Sequence, residues 1–181
     1  YRDYTLRDNK AVPEEPIVQD FTEDYQELLM TIDHIEADGG GDTAEDVASG
    51  LFEASELKWF SQTKLVLHFA DAPCHGRKYH DFDTNIQGDD ETIDITKLGF
   101  SDYFPEGDPR NQDIEQLVGT LARLCDYYFI RLNNTTDIMT DIFQNIYKGV
   151  NKRLFDVLSM ENGAEDFVPV VLQSITASVA H

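Results

Sequence analysis

Two aspartates lie in sequence contexts where a carboxylate could do chemistry. Asp71 ends the apolar run KLVLHFAD (64–71), and Asp42 follows three glycines in ADGGGDTAEDVASGL (37–51), directly before the hydroxyl of Thr43. A carboxylate at the end of a buried strand is held rigidly, while the loop after it stays open to solvent. Glycines allow the backbone before a helix to adopt unusual angles. The pattern therefore predicts two acidic loops that meet over one edge of a sheet.

These residues are open to several interpretations. Carboxylate and hydroxyl oxygens are the ligands that Mg²⁺ and Ca²⁺ prefer, so the two loops could supply part of a cation site. Asp42 could instead cap the following helix, and Asp71 could be an ordinary turn residue. Another possibility is a metal-assisted hydrolase that uses Asp42, Asp71, His75 and His34 around one or two ions. A third possible role, besides the cation site and the hydrolase, is that of a metal-free structural subunit.

Cysteine chemistry and zinc binding are weaker interpretations. Cys74 and His75 are adjacent, but sequence neighbours rarely point together, and no oxyanion loop is evident. The spacing of Cys74, His75 and His80 lacks the paired CxxC pattern of a zinc site. GGGD is not a phosphate loop either, because no Lys-Ser or Lys-Thr pair follows it. We therefore expect neither a reactive thiol nor zinc.

The charge balance restricts the partners. The 181 residues include 35 acidic and 14 basic side chains, for a net charge of -21. This charge repels phosphate backbones and anionic lipids, so we expect no nucleic acid and no membrane partner. It suits cations or a basic protein surface, although solubility alone is an equally good explanation. Two cysteines and the lack of an 18-residue apolar run predict a cytoplasmic protein with reduced thiols.

The elements that must position the two loops follow from periodicity. Helical spacing predicts helices over 24–37, 43–57, 113–125 and 136–149, and apolar runs predict strands over 64–70 and 126–132. This alternation is typical of an α/β fold with a doubly wound, mostly parallel sheet and helices on both faces. The polar range 77–112 is predicted as a long excursion. The apolar tail 151–181 is either a last strand and helix or the start of another module.

Several separated motifs resemble one family. They are YRDY (1–4), DFT (20–22), GGGDTAEDVASGL (39–51), KLVLHFADAPCHG (64–76), YFPEGDP (103–109) and YYFIRLNNTTDIMTDIF (127–143). Together they resemble the von Willebrand factor A-type domain that accompanies alpha-kinase catalytic domains in eukaryotic proteins. The resemblance covers residues 1–150 and implies a Rossmann-like fold. Residues 151–181 would then be a C-terminal extension or the start of a following module.

The resemblance implies a metal-ion-dependent adhesion site that binds Mg²⁺ or Ca²⁺ and grips a protein partner through the acidic sheet edge. Its second and third metal loops correspond to Asp42 or Thr43 and to Asp71. The first loop, a DxSxS or DxTxS motif, has no counterpart, so the fold is predicted to be N-terminally incomplete and cation binding by the chain alone to be weak. A binding role implies that the chain is not an enzyme, with any alpha-kinase domain elsewhere in a larger cytoplasmic protein.

Overall fold

The computed structural model describes residues 3–7, 10–36, 41–82 and 101–180. Its strands are β1 (Tyr4–Arg7), β2 (Lys10–Pro13), β3 (Leu65–Ala70), β4 (Asp126–Arg131) and β5 (Phe155–Ser159). Its helices are α1 (Tyr25–Asp33), α2 (Val47–Glu56), α3 (Ile114–Leu124), α4 (Asp137–Val150) and α5 (Phe167–Ala180), with a short 3-10 helix at Gly163–Asp166. The predicted α/β class is confirmed.

A parallel sheet with the order β3-β4-β5 forms the centre of the fold. β4 is the middle strand and is buried over almost its whole length. Such a strand needs apolar side chains on both faces, which explains the uninterrupted run DYYFIR at this position. The prediction that the runs 64–71 and 127–132 form adjacent or near-adjacent parallel strands is confirmed, because Leu65 pairs with Asp126 and Phe69 with Ile130.

Helices cover both faces of the sheet. α2, α3 and α4 pack on the face that carries Tyr127 and Phe129, whereas α5 packs on the face that carries Tyr128 and Ile130. The larger core contains Val47, Leu51, Val118, Leu121, Met139 and Phe143. Because burying one such side chain contributes about 1.5–3 kcal/mol, this face supplies most of the apolar stabilisation.

The first helix does not cover the sheet, and this part of the prediction is wrong. α1 has no buried residue, and Leu28, Leu29 and Ile32 are 41%, 49% and 52% exposed. Helical spacing identifies an apolar face but not the surface that this face meets. The Asp24 carboxylate begins the helix by accepting hydrogen bonds from the backbone N–H groups of the first turn.

The remaining segments bring polar residues to the carboxyl ends of the strands. β1 and β2 form an antiparallel hairpin, which the sequence analysis did not anticipate. Within the range predicted as an excursion, 83–100 lie outside the described residues, whereas Ser101, Asp102 and Asp108 are buried. Residues 151–181, interpreted from sequence as an extension or a following module, supply β5 and α5. Among the described residues, no helix is long and apolar enough to cross a membrane.

Candidate functional site

Backbone hydrogen bonds join three loops beyond the carboxyl end of β3. Glu45 forms an isolated parallel bridge with Cys74, and its N–H donates to the Pro73 carbonyl at 2.9 Å. The N–H groups of Thr43 and Ala44 donate to the Ser101 carbonyl at 3.0 and 3.1 Å. The loop before α2, the loop after β3 and the segment before α3 therefore form one layer at this edge.

His75 is the buried centre of this layer, with 1% of its surface exposed. Its Nδ1 lies 2.9 Å from Asp102 Oδ1, and its Nε2 lies 2.8 Å from Asp3 Oδ1. Burial lowers the pKa of His75, but the hydrogen bonds to Asp102 and Asp3 and the negative charges around the ring outweigh it and raise the pKa to about 10. The ring is an imidazolium with both N–H groups donated, so it has no lone pair for a metal or for general base catalysis.

Asp102 holds this histidine from the segment before α3. Besides His75, it accepts hydrogen bonds at 2.8 Å from His80 Nε2 and from the N–H groups of Gly76 and Phe104. Burial raises the pKa of Asp102, but these hydrogen bonds dominate and hold it well below the ordinary value. Gly76 has φ +112°, a conformation that side chains rarely allow, and this turn presents its N–H to the carboxylate.

The Asp42 side chain points into the same buried region and is only 1% exposed. Its Oδ2 accepts a hydrogen bond from the Tyr103 N–H and lies 3.9 Å from His75 Nδ1. Asp42 Oδ1 and Asp3 Oδ2 are both buried and accept no hydrogen bond from the described residues. Burial raises the pKa of Asp42 to about 7. The hydrogen bond from Tyr103 and the charge of His75 lower this pKa, whereas the charge of the neighbouring Asp3 carboxyl group raises it.

The other two predicted ligands, Thr43 and Asp71, differ in exposure, because Thr43 is half-buried and Asp71 is exposed. Thr43 Oγ1 accepts a hydrogen bond from the Ser101 N–H at 3.1 Å, which orients its hydroxyl. Asp71 is exposed, and its carbonyl accepts hydrogen bonds from the side chains of Asn133 and Thr135, both at 2.7 Å. Burial, then the charges of Asp3 and Asp71, raise the pKa of Glu45 to about 7. The charges of both the buried Asp3 and the exposed Asp71 therefore act on the carboxyl group of Glu45.

The interpretation of Asp42 as a helix cap is wrong, because α2 begins five residues later. Asp46 is its N-cap and accepts a hydrogen bond from the Ser49 N–H at 3.0 Å. The same carboxylate pairs with Arg110, whose Nε donates to the Tyr4 hydroxyl at 2.9 Å. Asp42 is thus free of a structural role in the helix.

Among the described residues, the metal-type side chains whose ligand atoms lie within 4.8 Å of one another are Asp3, Asp42 and His75. Cys74 is outside this group, and burial raises its pKa well above the ordinary value, so the thiol is unreactive. Both cysteines are free and buried. Asp3 and Asp102 were not predicted as members of the site, although Asp3 lies in the motif YRDY and Asp102 directly precedes YFPEGDP, two motifs that carry the family resemblance.

No protein-family model matches the chain. A curated protein, "Alpha-protein kinase vwkA" from Dictyostelium discoideum, is 29% identical over 145 residues, which cover 78% of this chain. The chain spans only 20% of the length of that relative. The expectation that the protein is not an enzyme is contradicted, because this relative is itself named as a kinase. Because the alignment covers only this small part of the relative, the kinase activity is a property of the relative and is not assigned to this chain.

Proposed function

We propose that the chain is a von Willebrand factor A-type domain that binds a protein partner through a divalent cation. The cation, Mg²⁺ or Ca²⁺, would lie at the carboxyl edge of the parallel sheet and involve Asp42, Thr43 and Asp71. A cytoplasmic location beside an alpha-kinase belongs to the same proposal. The observation that carries it is the buried Asp42 oxygen without a hydrogen-bond donor, at an edge that also holds the carboxylates of Asp3, Glu45 and Asp71.

The chemistry of this edge supports a hard cation. Its side chains offer carboxylate and hydroxyl oxygens, and the thiol nearby is buried and protonated. Ca²⁺ collects about six to eight oxygens and Mg²⁺ about six, so the few oxygens of this edge leave positions for water and for a carboxylate of the partner. A partner that completes the shell would bind only while the cation is present.

The proposal is tested by retention of a partner in the presence and absence of the cation. The wild-type chain is immobilised, and proteins retained from an extract of the source cells are compared in Mg²⁺, in Ca²⁺ and in EDTA. We expect a specific protein to be retained with the cation, released by EDTA, and lost with Asp71→Asn. Asp20→Asn is the matched control, because Asp20 is exposed and lines a cavity with Lys64 and Leu65 at the opposite end of β3.

Retention that survives both EDTA and the Asp71→Asn substitution would contradict a cation-dependent edge. The candidate partner is then purified and titrated against the chain by calorimetry, and its binding must show the same dependence on Asp71. Loss of that dependence with the purified partner would count equally against the proposal.

A further inference from the structure

We propose that Asp3 supplies a carboxylate ligand to the proposed cation site, so that one divalent cation lies between Asp3 Oδ2 and Asp42 Oδ1. This inference rests on the proposed function for the role of Asp42. It extends that function by adding a ligand, Asp3, from the residue directly before β1.

Each of the two carboxylates has one oxygen fixed and one oxygen without a donor. Asp3 Oδ1 is bonded to His75 Nε2 at 2.8 Å, and Asp42 Oδ2 accepts the N–H of Tyr103. The other oxygens, Asp3 Oδ2 and Asp42 Oδ1, are buried and lack a hydrogen-bond partner among the described residues. Both side chains are 1% exposed or close to it, so bulk water does not screen them.

The separation of the carboxyl groups fits a shared ion. One carboxylate oxygen of Asp3, one of Asp42 and one ring nitrogen of His75 lie within 4.8 Å of one another. Mg²⁺ and Ca²⁺ bind oxygens at about 2.0–2.6 Å, so two oxygens on opposite sides of one ion are separated by roughly twice that distance at most. The His75 imidazolium offsets part of the repulsion between these two buried carboxylates, and a cation between their other oxygens would offset more of it.

The surroundings restrict which ion fits. Both His75 ring nitrogens are committed to carboxylates, so the site offers oxygen ligands alone. This selects a hard cation such as Mg²⁺, Ca²⁺ or Mn²⁺ over zinc, which prefers nitrogen and sulfur. Glu45, whose pKa is raised in part by the charge of Asp3, is a further carboxylate available for the shell. A proton shared between the Asp3 and Asp42 carboxyl groups would compete with the cation for this position.

Asp3→Asn tests the inference because the side chain keeps its shape. One amide position can still accept the hydrogen bond from His75, while the other places a donor opposite Asp42 and removes the charge. Titration of the full chain with Mn²⁺ is followed by calorimetry and by the electron paramagnetic resonance signal of free Mn²⁺. We expect saturable binding by the wild type, at least a tenfold loss of affinity in Asp3→Asn and no change in Asp20→Asn.

Thermal unfolding in EDTA verifies that the variant folds; some loss of stability is expected there, because Asp3→Asn removes a carboxylate that pairs with the buried His75 imidazolium. Unchanged Mn²⁺ affinity in a folded Asp3→Asn variant would overturn the inference, and so would a wild-type chain that binds no Mn²⁺ because a proton fills the position. Asp71→Asn separates the two proposals. If Asp71→Asn abolishes cation-dependent partner retention while Asp3→Asn leaves Mn²⁺ binding intact, only the role of Asp3 fails.

Discussion

The His75 imidazolium and the Asp102 carboxylate form a buried ion pair with an N–O distance of 2.9 Å. The two residues are 27 positions apart, and their contact fixes the loop after β3 against the segment before α3. A buried pair contributes little relative to an apolar pair, but losing one partner leaves an uncompensated charge. The stability of the site layer therefore depends on keeping both members.

Asp102→Asn should destabilise the fold by about 3–5 kcal/mol, the usual cost of removing one partner from a buried ion pair. The variant also weakens the hydrogen bonds that His80, Gly76 and Phe104 donate to this side chain. Urea unfolding monitored by circular dichroism measures the change in the free energy of unfolding. Asp20→Asn, which removes an exposed charge, should stay within about 0.5 kcal/mol of the wild type. A similarly small effect of Asp102→Asn would mean that the ion pair does not hold the two loops together.

The start of α2 gives a second prediction, since Asp46 both caps the helix and pairs with Arg110. Asp46→Ala removes both interactions and should cost about 2–4 kcal/mol, of which the cap accounts for up to about 2 kcal/mol. Asp46→Asn keeps a cap oxygen and should recover roughly the cap contribution. Thermal unfolding of both variants measures the difference. Equal losses in the two variants would assign the whole effect to the pairing with Arg110.

His68 on β3 gives a pH prediction. Its Nδ1 lies 2.6 Å from the Tyr127 hydroxyl, and desolvation lowers the pKa of its ring to about 3. The unfolded chain takes up the proton near pH 6.5, whereas the folded chain does so only near pH 3. The stabilisation is therefore complete above pH 6.5 and is lost as the pH falls towards 3, by up to about 1.4 kcal/mol per pH unit.

The control for this prediction is His68→Phe, which keeps an aromatic ring beside Phe129 but cannot titrate. Urea unfolding of both proteins between pH 7 and pH 4 gives the difference in their free energies of unfolding. This difference isolates His68 from the carboxylates, which titrate in both proteins. We expect the wild type to lose stability faster on acidification. Parallel curves for the two proteins would show that the folded state does not disfavour the charged ring.

The sequence predicts the sheet well because its signal is local. The run that becomes β3 is apolar except for His68, and β4 is apolar between its charged ends Asp126 and Arg131, so both strands require cover on both faces. The site is less predictable, because its members come from four segments that meet only in the fold. Asp3 precedes an unpredicted hairpin, and Asp102 follows a long polar range. No periodicity links either residue to His75.

The face that α5 presents to the sheet contains serines beside Val170, although residue types predict that the large apolar side chains of this helix are buried. Ser174 and Ser178 are buried, and Ser178 donates a hydrogen bond to the Tyr128 hydroxyl at 3.3 Å, whereas Leu172 is 58% exposed. Small side chains allow a helix to lie close to a strand, and here they leave room for Tyr128. Several large apolar side chains of α5, among them Leu172, Ile175 and Val179, are therefore exposed on the outer face of the helix.

This orientation can be tested with two substitutions on α5. Ser174→Leu places a large side chain in a fully buried position and removes the hydrogen bond to the Val170 carbonyl, so it should destabilise the fold by about 1–3 kcal/mol through overpacking. Leu172→Gln changes an exposed position and should stay within about 0.5 kcal/mol of the wild type. Urea unfolding of both variants decides between the two orientations. If Leu172→Gln is the more damaging substitution, the leucine face meets the sheet and the serine face is exposed.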